Sequence, residues 1–241
     1  MNRDWNYSGR ELGSMDSAVN YHRWILDLMK PYLGRNVVEV GAGTGALSIL
    51  LLEHNIQSLL ALEPSANMFP LLQRRLADAR PGCVVKTSQC TLSGATADLA
   101  AAPPDSILYI NVLEHVEDDA SELCIAHQSL SPGGRAMAFV PAHEWLMSPI
   151  DEQLGHFRRY SRSNLAERFE AAGFRIVFSA GFDPLGILPW WLRYRILGSR
   201  HMEAEAVQAF DRWGVPVSRV LASMTKYRFG KNLIVVGEKR G

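Results

Sequence analysis

Gly41-Ala42-Gly43-Thr44-Gly45 places three glycines directly after the apolar run Asn36-Val37-Val38-Glu39-Val40. Glycine at such a point lets the backbone turn tightly and come close to a ligand. One carboxylate, Glu39, stands just before the turn, and a second, Glu63, ends the next apolar run, Ser58 to Leu62. Two binding chemistries compete for this arrangement. Gly41-x-Gly43-x-x-Ala46 fits the dinucleotide fingerprint, with Glu63 on a ribose. That reading leads to an NAD(P)-dependent oxidoreductase. Glu39, however, would repel a pyrophosphate and suits a positively charged ligand group.

The seven histidines supply most of the remaining proton chemistry. His22, His54, His127 and His201 lie in helix-like polar contexts and read as surface residues. His143 follows an apolar run by two or three residues, where a substrate would sit. His156 belongs to Asp151-Glu152-Gln153-Leu154-Gly155-His156-Phe157-Arg158-Arg159-Tyr160. Asp151, His156 and Arg159 read as a loop-fixing network; alternatively, His156 and an arginine hold and deprotonate a substrate. His143 and His156 are therefore the catalytic candidates, with Arg158, Arg159 and Tyr160 as substrate contacts. No two histidines stand three or four apart, so no metal site is expected.

These residues need elements to position them. Periodicity predicts helices over 16–33, 46–54, 66–79, 118–130 and 161–172. Pro31 with Gly34 ends the first, and Gly173 ends the last. Apolar runs predict strands over 36–40, 58–62, 83–87, 106–110, 135–140, 174–179 and 232–237, with 101–104 as a loop. Alternating strand and helix means an α/β fold, doubly wound, its largely parallel sheet covered on both faces. Residues 141–160 and 181–231 break the alternation and read as substrate-facing additions to one domain. The layout is an N-terminal helical segment (1–35), a ligand-binding core (36–180), a helical insertion (181–231) and a closing strand (232–241). The insertion holds Trp190, Trp191 and Trp213. It reads as core or dimer surface, as an aromatic lid over the substrate, or as a membrane-surface anchor with Arg193, Arg195 and Arg200.

Four motifs in order resemble the class I S-adenosylmethionine-dependent methyltransferases. Residues 37–45 resemble the first motif of that family, and Ala61-Leu62-Glu63-Pro64-Ser65 the second. Asn111-Val112-Leu113-Glu114-His115-Val116-Glu117-Asp118 is similar to the stretch after strand four in quinone-biosynthesis and natural-product members. Leu130-Ser131-Pro132-Gly133-Gly134 resembles the turn before strand five, and residues 151–160 are similar to a segment of a bacterial subset. The resemblance implies a seven-stranded sheet with an antiparallel last strand, and S-adenosylmethionine as cofactor. It implies that Gly41, Ala42, Gly43 and Gly45 face the methionine part, with Glu39 near its ammonium group. Glu63 accepts the ribose hydroxyls, and Pro64 and Met68 pack near the adenine. Asn111 and Val112 line the sulfonium end, and His115 follows them. The Asp that often follows strand three is absent; Ser88, Gln89, Cys90 and Thr91 stand there, with Cys90 and Thr91 as adenine contacts. The activity implied is methyl transfer to a small, apolar or aromatic molecule, with a non-catalytic S-adenosylmethionine-binding protein as the alternative.

Composition narrows the classes further. Twenty-five basic and twenty-five acidic residues cancel, so no global field favours nucleic acid. The first twenty residues carry no apolar leader, and no run reaches the ~18 apolar residues a membrane span needs. Three cysteines at 83, 90 and 124 form no C-x-x-C pair, which suits a reducing cytoplasm. A monomer or homodimer is expected, with membrane-surface contact left open.

Overall fold

The computed structural model describes residues 16–79 and 82–241; the leader reading for the first fifteen residues lies outside them. Seven strands form one sheet: β1 (Asn36–Val40), β2 (Ser58–Leu62), β3 (Val84–Ser88), β4 (Ser106–Ile110), β5 (Arg135–Pro141), β6 (Phe174–Phe182) and β7 (Asn232–Lys239). Their order is β3-β2-β1-β4-β5-β7-β6. Only β7 runs antiparallel, to both β5 and β6. The order reverses between β1 and β4, which pair in parallel. Ligands of open α/β sheets bind at such a reversal, beyond the carboxyl ends of the strands.

Both faces of the central strands are buried, with side chains alternating between two apolar layers. Val38, Ile107, Ala138 and Val235 face one layer; Val37, Leu108, Phe139 and Val236 face the other. The first layer is closed by α4 (Thr96–Ala101), α5 (Asp119–Ser129) and α7 (Arg162–Ala171), through Leu99, Leu123 and Phe169. The second is closed by α1 (Val19–Met29), α2 (Ala46–Leu51) and α10 (Val215–Met224). A further helix, α3 (Phe69–Ala77), packs Leu72 and Leu76 beside the glycine turn. Between β5 and α7 lies α6 (Pro149–Leu154). The insertion forms α8 (Ile187–Trp190), a π turn (Trp191–Ile196) and α9 (Ala204–Ala209), then a second π turn leading into α10.

Several boundaries differ from expectation. The first helix stops at Met29, because Pro31 converts the next three residues to a 3-10 turn. The helix α4 was not anticipated; it is six residues long and buries only Leu99. β6 runs on to Phe182 because two glycines allow backbones to touch there. A Cβ on Gly181 would lie 2.4 Å from the Phe229 backbone, and one on Gly230 would lie 2.1 Å from the Phe182 carbonyl oxygen. The chain enters and leaves the insertion at adjacent points, Gly181 N–H donating to Tyr227 and Lys231 N–H to Asp183. His22 is buried rather than at the surface, since α1 packs over more than one face.

Candidate cofactor and acceptor site

The turn after β1 is built by its glycines. Gly41, Gly43 and Gly45 have φ of 65°, 58° and 83°, a region L side chains rarely adopt. A Cβ on Gly41 would come within 2.7 Å of Val112, which follows β4. The turn is held by Glu63 at the end of β2, whose carboxylate accepts from Gly43 N–H at 2.7 Å and Ser65 N–H at 2.8 Å. Each carboxylate oxygen has a second lone pair for a ligand hydroxyl. Burial raises the Glu63 pKa, against the lowering effect of those two N–H groups. Glu39 lies beneath the turn, wholly buried, and accepts from Ser48 Oγ at 2.5 Å. Burial pushes its pKa up to about 8, and nearby Glu63 adds to this.

The remaining cofactor-binding candidates cluster on the same rim. Pro64 and Met68 follow β2, half-buried, and Cys90 and Thr91 follow β3, also half-buried. Asn111 and Val112 follow β4, with Asn111 at φ 54° and its N–H on the Phe139 carbonyl. The segment before α1 closes over the turn: Asp16 accepts from Thr44 Oγ1 at 2.5 Å and pairs with Arg75 at 2.8 Å.

The loop after β5 divides the acceptor-side candidates. His143 has φ 63° and is half-buried; burial and nearby Arg159 lower its pKa, against a hydrogen bond to the Gly230 backbone. His156 donates from Nδ1 to Asp151 at 2.9 Å. Asp151 also accepts from Arg159 at 2.7 Å and from the N–H and hydroxyl of Ser148, capping α6. This is the loop-fixing arrangement that Asp151, His156 and Arg159 suggested. Arg158 pairs with Asp119 at 2.9 Å, and the wholly buried Tyr160 hydroxyl donates to Asp119 at 2.8 Å or to the Leu113 carbonyl at 3.0 Å. Tyr160 and Arg158 thus fasten the loop to α5 and are not presented to a substrate.

Residues far apart in sequence meet at Trp190. Arg159 lies 4.7 Å from one of its ring centroids, and Lys231 Nζ 5.0 Å. Lys231 is also 5.5 Å from the Tyr21 ring and 3.6 Å from an Asp183 oxygen. Burial lowers the Lys231 pKa, against the attraction of Asp183. Beside this group is a cavity of about 200 Å³ with walls from Tyr21, Pro189, Trp190, Tyr194, Phe210 and Lys231. Lys231 and Tyr21 lacked any sequence signal. Trp191 and Trp213 do not line it; they are 38% and 68% exposed. A larger groove, about 500 Å³, lies among α1, α2 and α10 and includes no strand-end residue.

Glu114 and His115 meet the loop too. Phe157 N–H donates to the Glu114 carbonyl at 2.8 Å, and the His115 and His156 rings lie 4.6 Å apart, edge to face. Burial pushes Glu114 up to about 7 and His115 down to about 4. The rule based on spacing within one helix missed this cluster, because its members come from two loops.

The reversal point, the glycine turn and the two acidic strand ends define an S-adenosylmethionine-dependent methyltransferase fold of class I. A family model described as a methyltransferase domain matches residues 17–178, and the chain belongs to that family. No curated protein matches. Among solved structures, a Burkholderia thailandensis 1,6-didemethyltoxoflavin-N1-methyltransferase is 21% identical, covering 97% of this chain and 83% of that one, TM-score 0.56. An S-adenosylmethionine-dependent methyltransferase from Archaeoglobus fulgidus is 17% identical, covering 96% and 95%, TM-score 0.57. The cyclopropane synthase MmaA2 from Mycobacterium tuberculosis is 15% identical, covering 90% and 82%, TM-score 0.57. The cofactor is S-adenosylmethionine, and the oxidoreductase alternative is set aside. Among the described residues no helix is long and apolar enough to cross a membrane.

Proposed function

We propose that the chain methylates a small, apolar or aromatic acceptor, bound in the cavity beside Trp190. The observation that carries this reading is the path of residues 16–21. Asp16 is bonded to the glycine turn, while Tyr21, five residues further on in α1, forms part of the cavity wall. Cofactor cradle and apolar cavity therefore share one wall. The B. thailandensis enzyme, crystallised with bound 1,6-didemethyltoxoflavin and S-adenosylhomocysteine, supports a small-molecule acceptor.

The residues present fit the cofactor. The positive φ at Gly41, Gly43 and Gly45 keeps the turn free of side chains on the side where the methionine part would lie, while Gly41 lets Val112 pack at 2.7 Å from where a Cβ would stand. Glu63 offers lone pairs to two ribose hydroxyls, and the buried Glu39 suits an ammonium group. Bound S-adenosylmethionine supplies a methyl group activated by its sulfonium. The chain aligns the acceptor and keeps water out, which Trp190 and the helical insertion do from above. Where the acceptor arrives as a hydroxyl, His143 is the base assigned to take its proton; it stands on the loop after β5, bonded to the Gly230 backbone next to Lys231 of the cavity wall. Titration calorimetry with S-adenosylhomocysteine, followed by turnover on a panel of phenols, amines and carboxylates, tests the reading. Cofactor binding without turnover of any apolar acceptor would overturn it.

A further inference from the structure

Three side chains from two loops gather around one point that the methyl-transfer reading does not use. Glu114 is wholly buried, and neither carboxylate oxygen has a hydrogen-bond partner. Leaving such acceptors unmet inside a protein is costly. The donor atoms of Glu114, His115 and His156 all lie within 4.8 Å of one another. The tautomer of His156 follows from its partner. Asp151 Oδ1 already accepts from two Arg159 nitrogens, so it can only accept from Nδ1–H, and Nε2 is the ring nitrogen left to face a ligand. His115 is anchored through its ring to the backbone carbonyls of Leu154 and Gly155. Two imidazoles converge on a buried carboxyl whose two oxygens have no hydrogen-bond partner, and a cation answers that deficit.

We propose that Glu114, His115 and His156 form a site for a divalent transition metal ion of the zinc type. Two imidazoles and one carboxylate suit zinc, cobalt or iron rather than magnesium or calcium, which take oxygen ligands. Asp151 supplies the outer partner that fixes the ring of a metal-binding histidine. Three protein ligands leave a fourth position for water or another ligand. The ion would pin the loop after β4 to the loop after α6, on the acceptor side of the sheet. The site does not depend on which acceptor is methylated.

The test begins with the whole chain, stripped with chelator and titrated with cobalt(II). Visible d–d bands saturating at one cobalt per chain, and displaced by zinc, are expected. Glu114→Gln keeps the side-chain shape and gives the cluster an N–H donor, so it should fold while its bound metal falls to background. His156→Ala should do the same, and Asp151→Asn should weaken zinc binding about 10- to 100-fold. Circular dichroism verifies the fold of each variant. A folded wild-type chain that takes up no stoichiometric cobalt or zinc overturns the site, and so do folded Glu114 and His156 variants that bind metal as the wild type does.

Discussion

The two halves of the site are made by different means. The cofactor half is largely backbone: three glycines at positive φ, two N–H groups on Glu63, and carboxylates at the ends of neighbouring strands. Its parts lie within one β-α-β stretch. The proposed acceptor half is made of side chains: Tyr21 from α1, Arg159 from the β5 loop, Trp190 from the insertion and Lys231 just before β7. On the proposed reading, a shared cofactor is met by local main-chain geometry and an individual acceptor by contacts assembled from the whole chain.

The sharpest way to separate the halves is at His143. His143→Ala should lower turnover by about 10²- to 10⁴-fold with a hydroxyl acceptor, with S-adenosylhomocysteine affinity unchanged. The loss should shrink at high pH, where the acceptor ionises unaided. A loss that is independent of pH would break the assignment.

Glu63→Ala strikes the other half. Removing a charged acceptor costs about 1.5–3 kcal/mol, so cofactor affinity should fall about ten- to a hundredfold. Calorimetry on the folded variant checks this; unchanged affinity would mean that the turn alone recognises the ribose.

Glu39 gives a pH test of the same half. Its folded pKa, about 8, lies above its ordinary value of 4.5. The folded chain therefore holds a proton that the unfolded chain has lost. The stability Glu39 contributes is fully present below about pH 4.5 and is lost as pH rises toward 8. Glu39→Gln should flatten that decline in melting temperature. An arriving ammonium favours the ionised carboxylate, so cofactor binding should release a proton below pH 8 and tighten by up to about tenfold per pH unit. Calorimetry in buffers of different ionisation enthalpy counts the proton.

The smallest effects belong to the tryptophans. Trp190→Ala should raise the acceptor KM about tenfold while turnover and cofactor affinity hold, because it removes a contact made equally in ground and transition states. Trp213→Ala, at an exposed position, should change stability by less than about 0.5 kcal/mol and leave KM alone. Equal KM effects from both would place the acceptor against the outer face of the insertion.

The same division decided what the sequence disclosed. β1, β2 and β4 run as the apolar runs predict, because parallel central strands are uniform apolar stretches bounded by turns. Gly41 to Gly45, Glu39 and Glu63 were legible because their geometry is local. The Asp151–His156–Arg159 network was legible for the same reason, since all three lie within nine residues. Helix α4 was not, because it is six residues long and only Leu99 reaches the core, too little to form a periodic stripe. Lys231 and Tyr21 gave no signal, as only the antiparallel return of β7 brings them to Trp190. Trp191, adjacent to Trp190 in sequence, faces the other way round its helical turn, a distinction that spacing alone does not make.

The paired glycines at the base of the insertion bear on how this chain can diversify. Gly181 and Gly230 let the departing and returning backbones lie in contact, while Val215 and Ala222 of α10 reach back into the apolar layer beneath α1. The strands therefore depend on that crossing and on α10, and the stretch from α8 to α9 is the part left free to vary. Transplanting a related α8–α9 segment, with both glycines and α10 retained, is a route to new acceptors that leaves the methyl donor site in place.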